Sequence, residues 1–170
     1  IFGTYEFDEL EVLKKFIKKN IKNPAVALDI GANIGNHTVR LFSKIFTRVH
    51  CFEPNRKIYK LLELNVEGLH NITIHRYGLS NKTGKYFFKI DPTNWGGSKI
   101  INGSTNFNNS QKMQLSKIEV KKLDSVVDMY ADKINLMKID VEGHELKVLL
   151  GARKIIEKNS PIILIEESNI

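Results

Sequence analysis

The sequence predicts an α/β domain built on a central, mostly parallel sheet with helices on both faces. Short and nearly continuous apolar runs recur along the chain, as strands covered on both faces require. Stretches with helical apolar spacing separate them. A glycine-rich turn closes the first run where a helix begins, a position at which such sheets hold nucleotide-like ligands.

The elements follow in order. Leu10, Leu13, Phe16 and Ile17 mark an amphipathic first helix whose other face carries Lys14, Lys15, Lys18, Lys19 and Lys22. Residues 20–24 break it, because Pro24 lacks an amide proton and restricts its neighbour. Residues 25–30 form the first strand, and Val39, Leu41, Phe42 and Ile45 mark the helix after the turn. A strand over 48–52, a helix over 55–66 and a strand over 72–77 continue the alternation. Residues 85–90 read as another strand. The segment 91–117 is rich in Asn, Ser, Gly and Gln without a sustained period, and reads as a loop-rich insertion of the kind that serves as a lid. Regular pattern resumes at Ile118, with a short helix over 123–130, a strand over 134–139, a helix over 145–157 and a final strand over 161–166. All of 1–170 is expected to form one domain, with 1–24 as its N-terminal helical segment.

Composition narrows the classes. A chain of 170 residues buries a core without disulfides, and its single Cys51 lies in an apolar run as a small buried hydrophobe. The net charge of +7 would suit an acidic partner, but the basic residues are spread and no aromatic and basic patch interleaves, which speaks against nucleic acid. No apolar run approaches the roughly 18 residues of a membrane span, and no signal-peptide pattern opens the chain, so a cytoplasmic protein is expected. The chain starts at Ile1, which leaves room for an upstream segment. Oligomeric state is not legible.

The turn Gly31-Ala32-Asn33-Ile34-Gly35-Asn36 departs from the dinucleotide pattern, since Asn33 holds the second glycine position. Asparagine tolerates left-handed angles, so the turn survives while the case for a pyrophosphate weakens. A phosphate-binding P-loop is excluded, because no Gly-Lys-Ser/Thr ending follows. Glu53 ends the second strand 24 residues after Asp29, where a carboxylate can accept both ribose hydroxyls of an adenosine ligand. Asp29, just before the turn, suits the ammonium and sulfonium of S-adenosyl-L-methionine better than a nicotinamide dinucleotide.

Several segments resemble the FkbM family of methyltransferases: ALDIGANIG (27–35), HCFEPN (50–55), GLSNKTG (78–84), NWGGS (94–98), LDSV (123–126) and KIDVEGHELKVLLGA (138–152). The likeness runs from residue 25 to 167 in order. It implies a Rossmann-like class I methyltransferase fold, S-adenosylmethionine as cofactor and O-methylation of metabolites or sugars. It also implies donor contacts from Asp29, Gly31, Ala32, Asn33, Gly35, Asn36, Glu53 and Pro54, with Gly78, Leu79 and Ser80 near the adenine and Asp140 near the methyl group. Asn81 stands where many members have aspartate, and Asn36-His37 where an aromatic is frequent. The fold usually carries two further strands, so the chain resembles a domain cut short.

Methyl transfer from a sulfonium requires alignment and removal of a hydroxyl proton. Asp140, Glu142 and His144 alternate, so an extended segment would set them on one side, with Asp140 positioning and Glu142 or His144 as base. A helix-start role for Glu142, His144 and Glu145, or a metal site, are competing readings of the same residues, with no metal the preferred expectation. Trp95 between small residues could stack on a sugar ring, or fold back onto the core. Glu166 at the last strand end is an acceptor candidate, and Tyr5 and Glu6 could fold over the donor. The leading expectation is an O-methyltransferase acting on a hydroxyl of a glycan or small metabolite. A nucleic-acid methyltransferase or nucleic-acid-binding domain is the alternative, and a dinucleotide oxidoreductase ranks third.

Overall fold

The computed structural model describes residues 7–90, 99–101, 114–126 and 132–166. In chain order the elements are α1 (Phe7–Asn20), β1 (Val26–Ile30), a π-helical turn (Thr38–Phe42) running into α2 (Ser43–Ile45), β2 (Arg48–Phe52), α3 (Arg56–Asn65), β3 (Ile72–His75), β4 (Gly78–Leu79), β5 (Gly84–Ile90), β6 (Lys99–Ile101), β7 (Gln114–Lys121), a 3₁₀ turn (Leu123–Ser125), β8 (Ile134–Ile139), α4 (Glu145–Gly151), α5 (Arg153–Asn159) and β9 (Ile162–Ile165).

The expected parallel sheet is present, ordered β3-β2-β1-β8-β9 with every pairing parallel. Alternate residues of its strands feed two cores. Leu28, Ile30, Phe52, Met137 and Ile139 pack with Val148 and Ile155 of α4 and α5 on one face. Ala27, Val49, Cys51 and Leu136 pack with Ile17 of α1 and with Phe42 on the other. β1 is buried along its whole length because it is central. The chain passes outward from β1 through β2 to β3, and on the other side from β8 to β9. The strand order therefore reverses between β1 and β8, where such sheets open a crevice at the carboxyl ends.

A second sheet, ordered β4-β7-β5-β6, departs from the sequence expectation. β6 and the start of β7 fall inside the stretch read as loop-rich. In β7, Ile118 and Val120 turn inward to meet Phe88, while Leu115, Lys117 and Glu119 face solvent. Polar residues on that open face hide the period of two. The same face sets Lys85 opposite Glu119, Phe87 opposite Lys117 and Lys89 opposite Leu115. Basic and apolar side chains do interleave there, and the Lys117 ammonium lies 5.7 Å from the Phe87 ring centre.

Two helices also differ. The one expected over 145–157 breaks at Ala152, between α4 and α5. Gly151 causes the close approach behind the break: a Cβ there would lie 2.1 Å from the Ser80 carbonyl oxygen. The helix expected over 123–130 begins as a 3₁₀ turn, and residues 127–131 lie outside the described residues. Asp124 in that turn accepts the backbone N–H groups of Lys154 and Ile155, both at 3.1 Å, and so caps α5.

Behind the main sheet His50 and His75 are both buried, with His50 Nδ1 at 3.0 Å from His75 Nε2. The Tyr77 hydroxyl lies 3.3 Å from His75 Nδ1. Burial holds both imidazoles at about 4, well below their ordinary range, so they are neutral at physiological pH. No helix among the described residues is long and apolar enough to cross a membrane.

Candidate active site

The turn after β1 takes left-handed backbone angles at Gly31, Asn33 and Gly35, with φ of 77°, 51° and 90°. At Gly31 the requirement is also spatial: a Cβ would lie 1.8 Å from the Asp140 carbonyl oxygen, because the ends of β1 and β8 converge there. Four of the turn's amides are already used. Gly31 and Ala32 donate to the Phe52 carbonyl, Gly35 donates to that of Ala32, and Asn33 donates to a carboxylate oxygen of Glu53 at 3.1 Å. This turn therefore shapes the crevice rather than presenting a nest of free N–H groups to a phosphate.

Glu53 is 7 % exposed, so it is no surface residue before a proline. Its second oxygen accepts the Asn55 N–H at 2.8 Å, tying the β1 turn to the start of α3. Burial raises its pKa to about 7 against the lowering effect of these two N–H groups, with Asp29 and Asp140 adding repulsion. A ligand whose hydroxyls donate to this carboxylate favours its ionised form.

Asp29 is fully buried beneath the turn, on the α1 side of the sheet, and is not part of the crevice wall. Its Oδ2 accepts the Thr38 hydroxyl at 2.7 Å, and the same hydroxyl lies 3.1 Å from Cys51 Sγ. Burial, with Asp29 nearby, pushes the Cys51 thiol far up, which keeps it protonated and inert.

At the end of β8 the chain is not extended. Glu142 and Gly143 both adopt left-handed angles, with φ of 52° and 85°, and Glu145 pins the loop by accepting the N–H groups of Val141 and Gly143. The turn separates the three alternating residues. Asp140 and Glu142 line the crevice, whereas His144 points behind it, with Nε2 at 2.9 Å from Ser80 Oγ and its ring edge-on to Tyr86. His144 is 3 % exposed and burial holds it at about 4.

The crevice is a narrow cleft with a cavity volume of about 60 Å³, smaller than a fully formed cofactor pocket, so its residues rather than its size point to a ligand. Of the residues expected there, Gly31, Asn33, Glu53, Pro54, Gly78, Leu79, Asp140 and Glu142 line it. Asp29, Ala32, Gly35, Asn36, Ser80, His144 and Glu166 do not. Glu166 sits exposed at the end of β9, with its N–H on the Ile139 carbonyl. Trp95, Tyr5 and Glu6 lie outside the described residues. Sequence reasoning missed Phe88 and Ile100, through which the second sheet walls the crevice. It also missed Lys138, whose ammonium lies 2.8 Å from Asp140 Oδ2. The signal for Lys138 was a lone charge within an apolar strand. Among the described residues no group of three or more His, Cys, Asp or Glu is placed to hold a metal ion.

These residues fit S-adenosylmethionine. Three carboxylates, of Glu53, Asp140 and Glu142, suit a ligand with two positive charges and two ribose hydroxyls. Ile58, Leu79, Phe88 and Ile100 give the lining an apolar stretch of the kind that suits a flat base, and the occupied turn amides leave little for a pyrophosphate. Fold and crevice together define a Rossmann-like methyltransferase domain. The chain belongs to the methyltransferase FkbM domain family, whose pattern matches residues 29–170.

Known proteins agree with that placement. The chain is 31 % identical over 140 residues to the hexuronic acid methyltransferase AglP of Haloferax volcanii, covering 82 % of this chain and 54 % of that protein. It is 26 % identical over 163 residues to the methyltransferase sdnD of Sordaria araneosa, covering 78 % of this chain and 62 % of that one. The chain thus spans little more than half the length of the curated relatives it matches. In fold it is similar to a precorrin 8w decarboxylase of Methanobacterium thermoautotrophicum, with TM-score 0.57, 14 % identity and coverage of 100 % and 67 %. A putative methyltransferase of Streptococcus mutans in complex with SAH gives TM-score 0.50, 13 % identity and coverage of 92 % and 66 %.

Proposed function

We propose that the protein methylates a hydroxyl of a sugar or glycan, using S-adenosylmethionine. The observation that carries this reading is the crevice itself, in which three carboxylates stand beside an apolar stretch at the reversal point of the sheet. The bound cofactor supplies an electrophilic methyl carbon on a sulfonium. Glu53 accepts the ribose hydroxyls while its own backbone contacts hold the β1 turn closed. Asp140 orients the ligands at the β1–β8 junction. Glu142 is the candidate base, because it is the remaining carboxylate on the wall and a sugar hydroxyl is a weak acid that gains from proton removal in the transition state. His144 is too enclosed by Ser80 and Tyr86 to reach an acceptor at that wall. Trp95 and Glu166 are retained as acceptor contacts.

The likeness to a hexuronic acid methyltransferase supports a sugar acceptor. Incubating the protein with labelled S-adenosylmethionine and a panel of uronic acids, neutral sugars and glycans tests it by mass spectrometry. Addition of one methyl group to a sugar oxygen, abolished in Glu142→Gln, is the expected result. Methylation confined to nucleic acid would overturn the reading, and full turnover in Glu142→Gln would overturn the base assignment.

A further inference from the structure

We propose that Lys138 is a positioning residue for the reaction: its buried ammonium, against Asp140 and beside Asp29, fixes the Asp140 carboxylate at the crevice. The inference rests on the methyltransferase reading above. Lys138 lies in β8 between Met137 and Ile139, and its side chain is only 9 % exposed. Lysine is almost never so buried without a partner. Its Nζ is 2.8 Å from Asp140 Oδ2, and the register sets Lys138 directly beside Asp29 of β1.

Stability alone does not account for a charge here. Replacing a buried ion pair with apolar residues of similar volume is often neutral or stabilising, and a methionine would continue the apolar strand. The surroundings instead hold the ammonium charged. Burial would neutralise it, yet Asp29, Asp140 and Glu166 together raise its pKa above the ordinary lysine value. Asp29 keeps one oxygen, Oδ1, fully buried with no hydrogen-bond partner among the described residues, so the Lys138 ammonium in the adjacent register position is the cation that faces this acid.

The groups facing this point are Asp29 of β1, Cys51 of β2, Glu53 just after β2, Asp140 after β8 and Glu166 after β9. Cys51 stays protonated, leaving a cluster of carboxylates with Lys138 as the buried cation. Without that cation, the repulsion that Asp29 and Asp140 exert on Glu53 is left unscreened, which pushes the Glu53 carboxyl further up. Asp140 also loses the contact that fixes its rotamer.

The test is calorimetric titration of the full chain with S-adenosylhomocysteine from pH 6 to 9, on wild type, Lys138→Met and Lys138→Arg, with ligand-free melts alongside. Lys138→Met should weaken binding about tenfold at pH 7 and move the pH of half-maximal affinity up by about one unit. Lys138→Arg should restore most of both, since it returns the charge. In an Asp140→Asn background, Lys138→Met should move the pH profile little. A melting shift in Lys138→Met with wild-type affinity and an unmoved profile would show a structural role only and overturn the proposal. If Lys138→Met does not fold, Lys138→Gln replaces it with the same expectations. Failure of the wild type to bind at any pH would instead refute the methyltransferase reading.

Discussion

The crevice wall formed by the ends of β1 and β2 and the wall formed by β5 and β6 differ in what holds them in place. The first is a hydrogen-bonded lattice: Phe52 takes two turn amides, and Glu53 takes one amide from each flanking turn. The second contributes Phe88 and Ile100, apolar side chains whose position comes from packing in a small core with Ile118 and Val120. Directional bonds fix angles and charge; packing fixes shape and tolerates repacking. The lattice wall is therefore suited to what all donors share, and the packed wall to what differs between ligands.

The sharpest way to break the lattice is Gly31→Ala, which forces a side chain into a left-handed position and against the Asp140 carbonyl. Destabilisation should reach about 4 kcal/mol or more in denaturant titration. Gly68→Ala is the control: its φ is 81°, yet nothing lies within 4 Å of the added Cβ. Its cost should stay near 1 kcal/mol, and equal losses would remove the spatial argument.

Acid probes both walls from behind, since His144 backs the second sheet and His50 and His75 back the first. Each is held at about 4 in the fold against 6.5 when unfolded, so the unfolded chain binds more protons between those values. Stability should be full above pH 6.5 and fall as pH drops towards 4, by on the order of 3 kcal/mol for a single imidazole. Glu53 works in the opposite direction, because its folded pKa of about 7 gives the folded state one extra proton. Three imidazoles outweigh one carboxyl, and melts that stay flat from pH 7 to 4.5 would contradict this balance.

Phe88→Ala tests the packed wall. A loss of about 3 kcal/mol is expected, the low end for a buried phenylalanine because the site opens to the crevice. Phe88→Leu should recover most of it, which a lattice position would not allow.

Glu53→Gln gives a small change in stability and the most specific one in binding. The amide keeps one acceptor, so one of the two N–H groups of Asn33 and Asn55 loses its partner, at about 1 kcal/mol. Affinity for S-adenosylhomocysteine should fall about tenfold, equivalent to 1.4 kcal/mol. Wild-type affinity should also decline as pH falls below about 7, where the carboxyl becomes protonated, and the variant should lose that dependence.

The same contrast governs what could be read from the sequence. The parallel strands were legible because burial on both faces leaves unbroken apolar runs, and Glu53 because its spacing from the turn is fixed by one helical segment and one strand. β6 and β7 were not, since their solvent face carries lysine, serine and glutamate between the inward residues. The alternation of Asp140, Glu142 and His144 suggested one shared side, but two consecutive left-handed residues reverse the chain between them. Asp29 faces α1 because of strand parity, which sequence gives only once the direction of its neighbours is known.

Ser80 meets α4 and its following break at two points, through its hydroxyl to His144 and its carbonyl against Gly151. Those residues are separated from it by 64 and 71 positions along the chain. Contacts of such sequence separation form late and slowly, because a long loop must close before they are rewarded. β5 and β7 can pair and collapse on their own residues beforehand. By the same measure the pairing of β1 with β8, which joins Val26 to Ile134 across 108 positions, closes later still, so the crevice at the carboxyl ends of those two strands is expected to be complete only in the last step of folding.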